Sequence, residues 1–232
     1  MKIFVATPAY NQSLTTTYFN SFFGMVREFS RRRILVTTAF RYSSLLPRSR
    51  NELVADFLHD SGATHLLFWD ADIGIEPDVL FQMIDFGKPV VGVACPMKDY
   101  HWERMGPEGS KERHLLDFNI DYGNSNDPAN QGSERQGPFA KVTSVGTGFL
   151  LIQRSTFNQM AERLPELQYS YRGRKAYAFF DTSIHDPTRE YISEDISFCH
   201  RWVNRCSGEI WCHMEATVTH IGINQFVGRF FD

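Results

Sequence analysis

The sequence has no excess of charge of either sign. Among 232 residues, 24 Lys and Arg stand against 27 Asp and Glu, a formal net charge of −3, so no general field holds nucleic acid or an anionic membrane and any polyanion site must be local. Cysteine is scarce, four residues in all, and none forms a Cys-x-x-Cys pair. Cys95, Cys199, Cys206 and Cys212 lie in apolar or aromatic settings, which predicts reduced, buried thiols. Cys206, Cys212 and His213 match no standard zinc-ligand spacing. Long hydrophobic runs are missing too. The opening KIFVA is broken by Thr7 and Pro8, too short for a signal-peptide core or a membrane span, so a cytoplasmic protein is expected. There is no internal repeat and no recognisable RNA- or DNA-binding motif, so Arg31-Arg32-Arg33 and Arg172-Gly173-Arg174-Lys175 read as solvated faces.

What is present is the material of a globular domain. At 42% hydrophobic and 14% aromatic residues the chain can bury a substantial core, which excludes disordered and collagen-like architectures. Residues 2–6 read as a strand, 14–29 as a helix with Tyr18, Phe22, Met25, Val26 and Phe29 at helical spacing, and 34–38 as a second strand. A helix over 51–59, a strand over 65–69, a helix from Pro77 and a strand over 89–94 follow. Strands that are continuous apolar runs alternating with helices predict an α/β fold with a mainly parallel sheet covered on both faces. Residues 96–138 break the pattern and read as a long loop able to close over a ligand. Strands over 141–145 and 149–153, a helix over 155–164 and a short helix near 194–203 complete the pattern. The aromatic and basic stretch YSYRGRKAYAFF before that last helix carries no assignment.

Several constellations carry chemistry, each with a plainer alternative. The buried run His65–Trp69 leads straight into Asp70-Ala71-Asp72. Ligands of an open parallel sheet bind beyond the carboxyl ends of its strands, and two crowded carboxylates there suit Mg²⁺ or Mn²⁺; capping of the next helix is the alternative. His220, at the end of another apolar run, returns an imidazole to the same edge or serves structure. Ser193-Glu194-Asp195 opens a short helix, where the acids either satisfy its N-terminus or act as a base toward a hydroxyl. Arg48 and Arg50 near the second helix start favour phosphate or form a solvated turn. Gly146-Thr147-Gly148 permits close backbone approach to a ligand, or marks a turn or bulge.

Taken in order, Thr7-Pro8-Ala9-Tyr10-Asn11, Arg50-Asn51, Asp70-Ala71-Asp72, Gly146-Thr147-Gly148-Phe149, Ser193-Glu194-Asp195 and His220 resemble the metal-dependent glycosyltransferases of the GT-A fold. The similarity is greatest to the small, family-2-like sugar transferases of bacterial, phage and large-virus glycan assembly, and it spans nearly the whole chain. It implies one Rossmann-like GT-A domain over 1–232, with a nucleotide-binding half at 1–95, a flexible loop at 96–140 and an acceptor-binding half at 141–232. By the same resemblance Thr7, Pro8, Ala9 and Tyr10 line the nucleotide pocket. Arg50 reaches the nucleotide or its diphosphate, with Arg48 as a helper. Asp72 coordinates Mn²⁺ or Mg²⁺, Asp70 contacts the ribose or the metal across Ala71, and His220 completes the metal site. Asp195 is the base and Glu194 supports it or the acceptor, while Gly146, Thr147 and Gly148 border donor sugar and acceptor.

The activity so implied is transfer of a sugar from a nucleotide-diphosphate sugar, UDP being the commonest carrier, to a glycan or glycoprotein hydroxyl with inversion. No nucleic-acid partner and no transmembrane segment are expected. The family often carries extended C-terminal helices or membrane segments, and the aromatic end at Asp232 in their place points to soluble acceptors rather than lipid-linked ones. A sugar-nucleotide nucleotidyltransferase is the first alternative, but it opens with a Gly-rich basic loop after its first strand, absent from Ala6-Thr7-Pro8-Ala9-Tyr10-Asn11. A haloacid-dehalogenase-type phosphatase needs its Asp-x-Asp on an early strand. A non-catalytic glycan-binding module would stack Tyr100, Trp102, Tyr169 and Tyr171 on sugars without turnover.

Overall fold

The apolar runs become strands, and Lys2–Pro8, His65–Trp69, Val90–Val93 and most of Phe149–Gln153 are buried on both faces whereas Leu35–Arg41 is half-exposed. In the computed structural model, which describes residues 1–106, 112–121, 134–185 and 188–230, the chain begins β1 (Lys2–Pro8), α1 (Thr16–Arg31), β2 (Leu35–Arg41), α2 (Leu46–His59), β3 (His65–Trp69), β4 (Ile73–Ile75), α3 (Pro77–Phe86) and β5 (Val90–Val93). There follow β6 (Ile120–Asp121), β7 (Arg135–Gln136), β8 (Phe139–Val142), β9 (Ser144–Val145), β10 (Phe149–Gln153), α4 (Arg154–Arg163), β11 (Gln168–Tyr171) and β12 (Arg174–Tyr177). The last elements are β13 (Ser183–Ile184), β14 (Tyr191–Ile192), α5 (Glu194–His200), β15 (Ile210–His213), β16 (Thr217–Ile221) and β17 (Gln225–Arg229).

Eight strands build the central sheet in the order β2-β1-β3-β10-β5-β15-β8-β7. β1 runs parallel to β2 and β3, and β15 parallel to β5. β10 and β8 run against both of their neighbours, so all strands but those two point one way. Side chains alternate across the pleat. Ile3 and Val5 of β1 pack with Tyr18, Met25 and Phe29 of α1 and Leu80 and Met83 of α3, whereas Phe4 and Ala6 pack with Leu53 and Phe57 of α2, Phe157 of α4 and Phe198 of α5. Each such ring or branched chain contributes roughly 1.5–3 kcal/mol on full burial, which is why these strands carry no alternating polar face. The architecture is the α/β sheet covered by helices that the apolar runs predict.

Differences from expectation have local causes. α2 starts at Leu46 rather than near residue 51, because Pro47 sits in its first turn, a position that needs no amide hydrogen. Arg48 and Arg50 therefore lie inside the helix. The last helix keeps α geometry only to His200 and continues as π-type turns over Arg201–Arg205. The unassigned stretch forms the hairpin of β11 and β12, turning on Arg172 (φ 50°) and Gly173 (φ 74°), the left-handed pair that two-residue hairpins favour. Within the long loop, 107–111 and 122–133 lie outside the described residues; its described parts hold single helical turns at Trp102–Arg104 and Glu112–Leu115 besides β6 and β7. His220 lies in a separate small sheet ordered β17-β16-β4. All four cysteines are buried free thiols, and no helix among the described residues is long and apolar enough to cross a membrane.

Candidate functional site

Backbone hydrogen bonds fix every residue of the Asp70-Ala71-Asp72 turn beyond β3. The Asp70 N–H donates to the Gly148 carbonyl at 2.9 Å, the Ala71 carbonyl accepts from the Thr15 N–H and hydroxyl at 3.0 and 3.2 Å, and the Asp72 carbonyl accepts from the Ile221 N–H at 2.9 Å. The Trp69 indole N–H closes the turn on the Ile73 carbonyl at 2.9 Å. With the backbone tied to three other elements, the two carboxylates are left to face the cleft and its walls.

They face different partners. Both oxygens of Asp70 accept from Arg50, Nη1 and Nη2 at 3.0 Å each, and Arg50 Nε donates to Glu194 Oε1 at 3.1 Å. Arg50 is only 2% exposed; burial opposes its charge, but Asp70 and Glu194 outweigh that and keep the guanidinium protonated. Asp72 is paired instead with Lys98, and His220 Nε2 lies 3.5 Å from Asp72 Oδ1. Burial favours the neutral acid, yet the neighbouring His220 and Lys98 hold Asp72 below the usual carboxylate range.

The His220 ring is oriented by a backbone carbonyl. His220 Nδ1 is 2.8 Å from the Pro96 carbonyl oxygen, which can only accept, so Nδ1 carries the hydrogen. Nε2 then faces Asp72, the arrangement in which a backbone carbonyl orients a metal-binding histidine. The register of the small sheet makes this meeting possible, since His220 stands opposite Ile73, the residue after Asp72. Among the described residues no group of three or more His, Cys, Asp or Glu converges as a cation cage. Asp72 and His220 are the carboxylate and imidazole that could supply ligands to a divalent ion in this cleft, where Lys98 also pairs with Asp72.

Asp195 also lines the cleft. Its Oδ1 accepts from the Ser193 hydroxyl and, at 2.8 Å, from the Ile196 N–H, and its Oδ2 accepts from Asn119 Nδ2 at 3.0 Å. Ser193 precedes α5 but spends its hydroxyl on Asp195 rather than on a free amide of the helix. Gly146 makes the Asn119 contact possible, because a Cβ there would lie 2.4 Å from Asn119 Nδ2. Cys95 also borders the cleft, and burial pushes its thiol far up, which leaves it protonated and without nucleophilic character.

A cavity of about 890 Å³ gathers Pro8, Tyr10, Arg50, Asp70, Ala71, Asp72, Gly146, Thr147, Gly148, Glu194, Asp195 and His220. No known family matches the chain as a sequence profile, and no curated protein matches it by sequence. Its fold does have counterparts. The crystal structure of A197 from STIV superposes with a TM-score of 0.50 at 14% identity, over 95% of this chain and 85% of that one. GalNAc-T7, crystallised with UDP, GalNAc and Mn²⁺, superposes with a TM-score of 0.51 at 10% identity, over 96% of this chain but 43% of that one. The fold is GT-A-like. At these identities the likeness speaks for architecture alone, and the chain spans less than half of GalNAc-T7.

Within this GT-A-like fold Thr7, Ala9 and Arg48 do not line the cleft, and Arg50 and Asp70 line it already paired with each other. Thr7 and Ala9 are buried beneath it, Thr7 sharing a 2.8 Å hydrogen bond with the Tyr18 hydroxyl, whose pKa burial pushes up to about 12. Arg48 points away, bonded to Glu52 at 2.8 Å, and borders a second cavity. Arg50, expected to reach a diphosphate, gives three donors to carboxylates. Asp70, expected at a metal or a ribose, has both oxygens on Arg50, apart from the Asp72–His220 pair. Lys98 and Asn119 were invisible to pattern analysis, because both come from the irregular segment after β5 with no period or motif around them.

Proposed function

We propose that the chain is a glycosyltransferase that takes its sugar from a nucleotide-diphosphate donor, with UDP as carrier, and passes it to a glycan or glycoprotein hydroxyl with inversion. The observation that carries this reading is the convergence, in one cavity at the carboxyl ends of β1 and β3, of the Asp72–His220 pair, a lysine and the buried carboxylate of Asp195. Residues 1–95 supply the nucleotide side, where Pro8 and Tyr10 border the cleft, and 141–232 supply the acceptor side. Asp72 and His220 would hold Mn²⁺ or Mg²⁺, which when bound neutralises charge on the departing diphosphate. Lys98, already at Asp72, adds a mobile positive charge to the same place.

Asp195 does the proton work. The acceptor oxygen bonds to the anomeric carbon as the bond from that carbon to the diphosphate oxygen breaks, its electron pair leaving with the diphosphate and the hydroxyl proton passing to Asp195. Ser193, Ile196 and Asn119 hold that carboxylate in one orientation, and Arg50 locks Asp70 and Glu194 so that neither competes for the proton. Gly148 keeps the Asp70 turn close, since its carbonyl takes the Asp70 amide.

Calorimetric titration with nucleoside diphosphates and sugar nucleotides, in Mn²⁺, in Mg²⁺ and with chelator, tests the reading. Binding of a uridine nucleotide that vanishes with chelator is expected. Absence of nucleotide binding under every metal condition would overturn it.

A further inference from the structure

A second cavity, of about 820 Å³, adjoins the first and shares with it a wall made by Ser44, Leu46, Ser193 and Glu194. Its own lining differs in kind. Tyr169 and Tyr171 come from β11, Tyr191 from β14, and Arg48 and Glu52 from α2, with Asp181 between them. Tyr191 is 71% exposed and offers an open ring, whereas Tyr171 is buried with its hydroxyl 3.4 Å from Arg41 Nη2.

Charge decides what such a space accepts. Its lining carboxylates are Glu52, Asp181 and Glu194, and its lining guanidinium is Arg48, whose Nε donates to Glu52 at 2.8 Å. Glu52 is paired with Arg48 and Arg41 and Glu194 with Arg50, so among the described residues Asp181 is the lining carboxylate outside these ion pairs, and a phosphate, sulfate or uronate group brought beside it meets repulsion. Carboxylates at the lining also disfavour an acyl chain, which would strip water from them without replacing its hydrogen bonds. What suits both features is a ligand with apolar C–H faces for phenol rings and many hydroxyl donors for carboxylates, which is an uncharged sugar.

Position gives the cavity its role. Glu194 belongs to both cavities, while its neighbour Asp195 lines only the first, so a hydroxyl presented across the shared wall arrives at the proposed base. We infer that the second cavity is the acceptor subsite and that it selects uncharged glycans, a pyranose ring lying against Tyr169 and Tyr191 with its hydroxyls donating to Asp181. This rests on the glycosyltransferase reading of the first cavity.

The full chain should be applied to an array of oligosaccharides of matched length, neutral in one set and carrying uronate or sulfate in the other, with UDP and Mn²⁺ titrated in parallel. Neutral glycans alone should bind. Tyr191→Ala and Asp181→Ala, both at exposed positions, should each weaken that binding by roughly tenfold, about one stacking or charged hydrogen-bond contact, with UDP affinity unchanged. Binding to no neutral glycan, equal binding to anionic ones, or full binding by both variants would overturn the assignment. If UDP also fails to bind the wild type, the transferase reading itself falls; if UDP binds and the glycan result fails, only the acceptor assignment falls.

Discussion

Arg50 is the side chain whose loss should be felt most. Its guanidinium lies over the Phe68 ring at 5.1 Å and is shared between Asp70 and Glu194, so truncation leaves two carboxylates without their cation. Arg50→Ala should cost roughly 3 kcal/mol in urea denaturation, toward the low end for a buried pair because Asp70 is partly open to water. Neutralising both partners as well, with Asp70→Asn and Glu194→Gln, should restore much of that; a triple variant as unstable as the single one would contradict the account. Asp195→Asn addresses the chemistry. It should fold and bind UDP as before, yet transfer sugar more slowly by about 10²- to 10⁴-fold, and a wild-type rate in single-turnover assays would remove Asp195 as the base.

A third residue governs acid tolerance. His213 is buried on β15, its Nε2–H donating to Gln82 Oε1 at 2.7 Å and its Nδ1 accepting from the Glu215 N–H at 3.3 Å, so the neutral ring is fully used. Burial drives its pKa down to about 4 from an ordinary 6.5. Between those values the unfolded chain takes up a proton that the folded chain refuses. Stability should therefore fall as pH drops from about 6.5 to about 4, by roughly 3 kcal/mol in all. A melting temperature that stays level across this window, or the same slope in His213→Asn, would count against it.

At the scale of elements, the segment after β5 matters out of proportion to its regularity. It delivers Lys98 to Asp72 and Asn119 to Asp195, and Gly146 at the end of β9 makes room for the second. In Gly146→Ala the new methyl should push Asn119 off Asp195, lowering kcat by about tenfold to a hundredfold with a smaller change in UDP affinity. Combining it with Asn119→Ala should add little, and additive losses would show that the two act separately. The legible parts of the fold are those with one physical cause. β3 was readable to the residue because four apolar side chains in a row, buried on both faces, admit few alternatives, and α3 because Pro77 marks its first turn. The Asp-Ala-Asp turn could be found for the same reason, since it ends that apolar run, whereas His220 follows the β-branched stretch Thr217-Val218-Thr219, of which only Val218 is buried. Lys98 and Asn119 could not, since irregular backbone follows no period. The hairpin of β11 and β12 did carry a signal in Arg172-Gly173 between alternating tyrosines, outweighed by the basic character of the stretch.

For the whole molecule, the cleft is assembled from both ends of the chain. Asp70 bonds through its amide to Gly148, Ala71 to Thr15, and Asp72 to Ile221, so the turn reports on three distant segments together. Hydrogen exchange at the amides of Asp70 and Ile221 should slow in concert when UDP and Mn²⁺ are added. Slowing at one amide alone would mean that the two sides of the cleft respond independently.

The pairing of β16 with β4 also sets an order in time. A ribosome releases Asp72 long before Thr217–Ile221, so during synthesis the carboxylate waits without its imidazole while the first strands of the sheet are already available to collapse. Under the proposed function, nucleotide or cation capture would wait until β16 has been made and has paired with β4.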